Sequence, residues 1–184
     1  MRRLAPIALL ALIAAGCGDQ RTRPPDVEHP DAPTRFEAVT LDGTGVRLTR
    51  PVNWIALAPH PPLEGGARSK TATVAVWRYP RTEPLPRTDA ALEEAKTRLL
   101  DRVRQRNPTF VLRTSQVTRI AGARAIQLTG RETVAGFDYD VRSAHLFKAG
   151  AEIVVDAYAP PEDFPRVDAT VFQPVLERLE VTAP

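Results

Sequence analysis

Apolar and polar positions along this chain alternate in blocks, and the period of alternation marks its elements. Leu4 to Ala15 form a short run that is almost all Leu, Ile and Ala. A charged stretch with four prolines, Gly18 to Thr34, follows it. From Phe36, "RFEAVTL" and "GVRLT" have the pattern of a hairpin around Asp42-Gly43-Thr44-Gly45. In "RPVNWIALAP", Pro51 ends the strand, and Trp54, Ile55 and Leu57 are expected to pack on the sheet. "HPPLEGGARS", from His60 to Ser69, reads as an exposed loop. "TATVAVWRY", Thr71 to Tyr79, reads as a strand buried on both faces.

The period then lengthens to that of a helix. Leu92, Ala95, Leu99 and Val103 share one face, Thr88 or Asp89 can cap the start, and Asn107-Pro108 stops it. Glu93 and Glu94 lie early and Arg102 and Arg104 late, as the helix dipole favours. Period two returns in "TFVLRTSQVTRI", one bent strand or two, and in "GARAIQLTGRET", "FDYDVRSAHLF" and "AEIVVDAYA". Val134-Ala135-Gly136 and Ala149-Gly150 are the hairpin turns. Alternation assigns Ile126, Leu128, Ala144, Leu146, Ile153, Val155 and Ala157 to one core face. Phe164, Val167, Val171, Phe172, Val175 and Leu179 recur at helical intervals. Pro174 would cost about 3 kcal/mol in a helix interior, so the helix is expected to restart near Thr170 or Val171.

The chain has 184 residues and one cysteine. Leu4 to Ala15 is shorter than the roughly 20 apolar residues that span a bilayer. After Arg2 and Arg3, and before small residues, it has the layout of a secretory signal peptide. Ala15-Gly16-Cys17 resembles the lipobox of bacterial lipoproteins, although Ala14 stands where that family prefers Leu. The resemblance implies cleavage before Cys17 and attachment of fatty chains such as palmitate to it. Two or more chains hold a protein at a membrane, each buried CH₂ contributing about 0.8 kcal/mol. The expected organisation is a signal peptide over 1–16, lipidated Cys17 with a disordered proline-rich stalk over 17–34, and one domain over 35–184.

Composition narrows the chemistry. The formal charge is +3, two units of which belong to Arg2 and Arg3, and no clustered basic stripe suggests nucleic acid as a partner. No second cysteine is present for a disulfide. No Cys pair, H-x-x-x-H or D-x-D-x-D-G run suggests a metal, and no cofactor is implied.

A hairpin, a strand, a long helix, a three-stranded meander and a final helix make an α+β pattern: an antiparallel sheet packed with helices. Leu48, Pro51 and Trp54, spaced L-x-x-P-x-x-W, and Gly122 with Ala125, spaced G-x-x-A, resemble the Mog1/PsbP-like proteins, including DcrB-like and LpqN-type bacterial lipoproteins. The resemblance covers about residues 36 to 182. It implies an α/β/α sandwich and, since the family has no shared active site, a non-catalytic module that binds a partner protein of the cell envelope from the extracytoplasmic face of the membrane.

One polar constellation stands out. With Ala149-Gly150 as the turn, Ser143 faces Asp156 and His145 faces Val154, so Asp156 is a diagonal neighbour of His145. Ser143, His145 and Asp156 are therefore a candidate polar surface site. A hydrolase using His145 and Asp156 is the weaker alternative, because mid-strand Ser143 offers neither an oxyanion site nor a sharp turn. A carrier or sensor of a small apolar ligand, held between sheet and helix, is the other. Asp138 and Asp140 share a strand face where a hard cation could meet them, although acids so close to a turn are usually just solvated. His29 is expected to be solvated in the stalk and His60 to lie in a loop.

Overall fold

The computed structural model describes residues 29–183. Its first strands, β1 (Phe36–Leu41) and β2 (Val46–Pro51), form the expected hairpin. Then come β3 (Ile55–Leu57), β4 (Leu63–Ser69) and β5 (Ala72–Pro80). Helix α1 (Asp89–Arg106) leads into β6 (Val111–Ile120), β7 (Ala123–Val134), β8 (Phe137–Lys148) and β9 (Ala151–Ala159). The chain closes with α2 (Phe164–Val167), a π-helical turn over Asp168–Phe172, α3 (Gln173–Glu177) and β10 (Glu180–Val181). β3-β4-β5-β9-β8-β7-β6 make a seven-stranded antiparallel sheet, and β1-β2-β10 a three-stranded one.

Two apolar layers flank the large sheet. On one face Leu146, Ile153, Val155 and Val76 meet Val46 and Leu48 of the small sheet and Val171, Phe172 and Val175 of the C-terminal helical segment. On the other, Leu92 and Leu99 of α1 pack on Ile126 and Leu128. The helix forms where local signals place it: Thr88 Oγ1 accepts the N–H of Ala91 at 3.1 Å, and Asn107 closes the other end.

Several expectations need correction. "HPPLEGGARS" is mostly strand: β4 pairs with β3 on one side and β5 on the other. The glycines that suggest a loop serve the sheet instead. Gly66 has φ +151°, and a Cβ there would meet Val74 O at 2.1 Å. Ile55 does not pack on the sheet; it is 59% exposed on edge strand β3. Ile126 and Leu128 lie on the α1 face, opposite Ala144 and Leu146, because β7 pairs Ile126 with His145 and Leu128 with Ser143. Both faces are covered, so apolar residues occupy both parities and alternation cannot sort them.

The last helix does not restart. Helical backbone runs from Phe164 to Glu177, and the ladder re-phases ahead of Pro174 through the π turn, where Gln173 N–H bonds Asp168 O. Arg142 holds the Asp168 carboxylate with two 2.6 Å bonds, tying this turn to β8.

Residues 29–34, assigned to the stalk by composition, lie against the domain. Trp54 Nε1 donates to Asp31 O at 3.1 Å, Asn53 Nδ2 to Ala32 O at 2.9 Å, and Arg166 Nη2 to Pro30 O at 3.0 Å. His29 is not simply solvated: its Nδ1 is 3.0 Å from Asp163 Oδ2. Backbone groups spent on side chains of the domain supply the order that composition does not. Signal peptide, Cys17 and the rest of the stalk lie outside the described residues.

The two kinds of glycine separate in a stability test. Gly66→Ala meets backbone that cannot yield and is expected to lose about 3 kcal/mol or more, whereas Gly43→Ala, with nothing within 4 Å and only a φ of +70° to strain, should lose about 1 kcal/mol. Urea unfolding midpoints measure both; equal losses would contradict the close packing at Gly66.

Candidate functional site

The α1 face of the large sheet is only partly covered. α1 lies over β6 and β7, and beside it the same face of β8, β9 and β5 opens into a cleft of about 670 Å³. The register sets its floor. Trp77, Val154 and His145 form one row across β5, β9 and β8; Tyr79 and Glu152 lie in the row on one side of it, Asp156 and Ser143 in the row on the other. Leu99, Arg102, Val103 and Arg106 of α1 make the wall.

A polar chain crosses this floor. An Arg81 guanidinium N–H donates to Glu152 Oε2, and Glu152 Oε1 is 2.7 Å from His145 Nδ1. His145 Nε2 is 3.0 Å from Ser143 Oγ, which is 2.6 Å from Asp156 Oδ1. The Tyr158 hydroxyl also bonds Asp156. His145 and Glu152 are buried; Ser143 and Asp156 are half-buried. The site is thus a recessed floor, not an open surface. Asp156 bonds Ser143, and the carboxylate on His145 is Glu152.

Burial pushes the His145 imidazole down to about 3, and the charges of Arg102, Arg106 and Arg81 act in the same direction. Burial likewise raises the Asp156 carboxyl to about 6, against the hydrogen bond from Ser143 and with the charge of Glu132. Neutral His145 donates from Nδ1 to Glu152. The Ser143 hydroxyl donates to Asp156 Oδ1 while that carboxyl is ionised, and can turn to His145 Nε2 once Asp156 takes up its proton. Burial raises the Tyr158 hydroxyl well above its ordinary range, which keeps it a donor.

The Ser–His–carboxylate order suggests nucleophilic catalysis, but the backbone does not complete it. Ser143 lies in mid-strand between Leu128 of β7 and Asp156 of β9. Peptide N–H groups there are spent on the two ladders, leaving none to cradle an oxyanion. Ser143 Oγ is also engaged by Asp156, so its attack would break the chain it belongs to.

Glu152 is the residue that sequence reasoning missed. The register that makes Asp156 one diagonal neighbour of His145 makes Glu152 the other, two residues before Val154 instead of two after. Asp138 is exposed as an acid near a turn is expected to be, but Asp140 is buried, and protein donors hold both where a hard cation could have met them. Thr133 Oγ1 donates to Asp138 at 2.7 Å, and Asp140 accepts from Arg131 at 2.7 Å and Arg113 at 2.6 Å. Burial works to raise Asp140, but the two guanidiniums outweigh it and hold the carboxyl below its ordinary value. Among the described residues no three His, Cys, Asp or Glu side chains gather to hold a metal. Nor is any described helix long and apolar enough to cross a membrane.

Sheet order, flanking helices and small accessory sheet define the class: an α+β fold with a large antiparallel sheet, the α/β/α sandwich of the Mog1/PsbP-like type. Among solved structures, cyanobacterial PsbP (CyanoP) from Synechocystis sp. PCC 6803 is similar with TM-score 0.62 and 15% identity, over 80% of this chain and 92% of that one. LpqN of Mycobacterium tuberculosis, described as involved in cell envelope biogenesis, gives TM-score 0.57 and 18% identity, over 80% and 91%. A Pseudomonas aeruginosa protein of unknown function gives TM-score 0.51 and 18% identity, over 82% and 99%. No family model and no curated protein sequence matches the chain.

The two shifted groups make a pH prediction. Asp156 binds its proton more tightly folded than unfolded, so its stabilising contribution is full below pH 3.8 and lost as pH rises through about 6. His145 resists protonation when folded, so its contribution is present above pH 6.5 and lost as pH falls towards about 3. Between about pH 4 and 6 the two slopes oppose. In Asp156→Asn, which keeps a partner for Ser143, the His145 slope stands alone. Its unfolding free energy should rise across that interval on the order of 2 kcal/mol more than wild type. Parallel profiles in urea titrations at several pH values would contradict the assignment.

Proposed function

We propose that this chain is a lipid-anchored, non-catalytic binding module of the bacterial cell envelope, held at the extracytoplasmic face of the membrane through Cys17 and engaging an envelope protein. The observation that carries the reading is the fold, an α/β/α sandwich similar to CyanoP and to LpqN, the latter described as involved in cell envelope biogenesis. The lipobox-like Ala15-Gly16-Cys17 supports the anchor. The surface also supports a protein partner. Val111, Val134 and Phe137 are exposed, Phe137 at 69%, and all three stand at the end of the sheet where the β7–β8 hairpin turns. Apolar side chains held out by a paired strand backbone make rigid anchors for another protein.

A palmitate analogue fed to the host should label the wild-type protein, and Cys17→Ser should abolish labelling and move the protein from the membrane to the soluble fraction. Unlabelled wild type, or unchanged partitioning of the variant, would overturn the anchor. Crosslinking in intact cells should recover a reproducible envelope protein from wild type and about ten-fold less from Phe137→Ser, a change of roughly 1.4 kcal/mol at an exposed site. Recovery of no reproducible partner would overturn the protein-binding reading.

The cleft favours a second reading, a carrier or sensor of a small ligand. Its volume of about 670 Å³ falls in the ordinary range of small-molecule sites, and apolar walls surround a few convergent polar groups.

A further inference from the structure

The wall of the cleft carries charge that the fold does not use. Along α1, Lys96 pairs with Glu93, Arg98 with Glu94, and Arg104 with Asp101. Arg102 and Arg106, the two basic residues of α1 that line the cleft, make no ion pair among the described residues. They stand four apart on one helix face, where like charges repel by about 0.2–0.5 kcal/mol. The third guanidinium of the cleft, Arg81, is already taken by Glu152. Two adjacent guanidiniums without an ion pair, at the edge of a recess, form a fork for an anion.

Below them Val103, Leu128, Val141 and Val154 lie among the polar side chains of the floor on the way to Trp77. The indole N–H of Trp77 is buried and has no acceptor among the described residues. A polar donor left unsatisfied beside a cavity costs about 1–3 kcal/mol, a cost that a water in the cleft removes and an alkyl chain does not. Nearby Glu132 and Asp156 set the limit on charge, since a doubly charged head would meet two carboxyls across the cleft. A head with one negative charge fits the fork, and a slender apolar body fits the apolar side chains of the lining.

We propose that the cleft binds an amphiphilic monocarboxylate, its head held between Arg102 and Arg106 and its unbranched tail lying over Val103, Leu128, Val141 and Val154 toward Trp77. The proposal rests on the cleft being a ligand site, and it adds the chemistry of the ligand. Both arginines are exposed on the helix surface. Replacing them therefore removes the fork without touching the packed residues of α1.

The test uses the full chain carrying Cys17→Ser, so that no attached acyl chain competes for the cleft. Dodecanoate and dodecanol, each below the concentration at which it self-associates, are titrated calorimetrically and by tryptophan fluorescence. Saturable one-to-one binding of dodecanoate, about ten-fold or more tighter than dodecanol, is expected. The Arg102→Gln/Arg106→Gln double variant should lower dodecanoate affinity to that of dodecanol and leave dodecanol unchanged. Circular dichroism confirms that the variant is folded. Equal affinity for the two probes, or full dodecanoate affinity in the double variant, would overturn the carboxylate while leaving the cleft a site for apolar ligands. Failure of both probes to bind would overturn the ligand site itself.

Discussion

The structure depends on a problem of coverage. Strands lie about 4.8 Å apart, so the five from β6 to β5 present a face roughly 20 Å wide, while a helix with its side chains is about 10–12 Å across. On one side the small sheet and the C-terminal helical segment together span that width. On the other there is only α1, and it sits over β6 and β7. A second helix there would have made a closed core. Without one, the face of β8, β9 and β5 must tolerate a wet cleft at its centre.

The residues on that open face reflect this constraint. Where α1 covers the sheet, the floor is Ile126 and Leu128; where it does not, His145, Ser143, Glu152 and Asp156 are set among Val141, Val154 and Trp77. Apolar residues there would expose a large greasy patch, and isolated charges would be costly to bury. A hydrogen-bonded chain from Arg81 to Tyr158 avoids both. Each member is satisfied by its neighbours, and the chain ties β5's exit, β9 and β8 together across their ladders. Such a network also discriminates between states, because removing one proton leaves two acceptors facing each other. Its value to the fold is specificity as much as stability.

What the sequence makes legible follows from which interactions are local. α1 can be read because its cap, its charges and its apolar stripe lie within twenty residues. The β8–β9 register can be read because a tight turn at Ala149-Gly150 fixes every opposite pair, and Ser143 opposite Asp156 follows by counting. The same counting through the β7–β8 turn puts Ile126 opposite His145, yet the apolar character of Ile126 argues for the other face. Composition misleads in the same way at Gly65-Gly66 and at residues 29–34. There the order comes from close backbone approach and from distant side chains such as Asn53, Trp54 and Asp163. The unpaired state of Arg102 and Arg106 is similarly a property of the assembled cleft.

The pairing of β10 with β2 bears on the order of assembly. Glu180 and Val181 meet Arg47 and Val46, joining segments more than 130 positions apart, and Thr182 N–H bonds Gly45 O at 2.7 Å. Closing so large a loop costs entropy that only the finished contact repays. During synthesis the first hairpin thus waits, with one edge bare, until almost the whole polypeptide has emerged. A chain built this way matures late and all at once, and its amino-terminal third is the part most exposed to wrong partners in the interval.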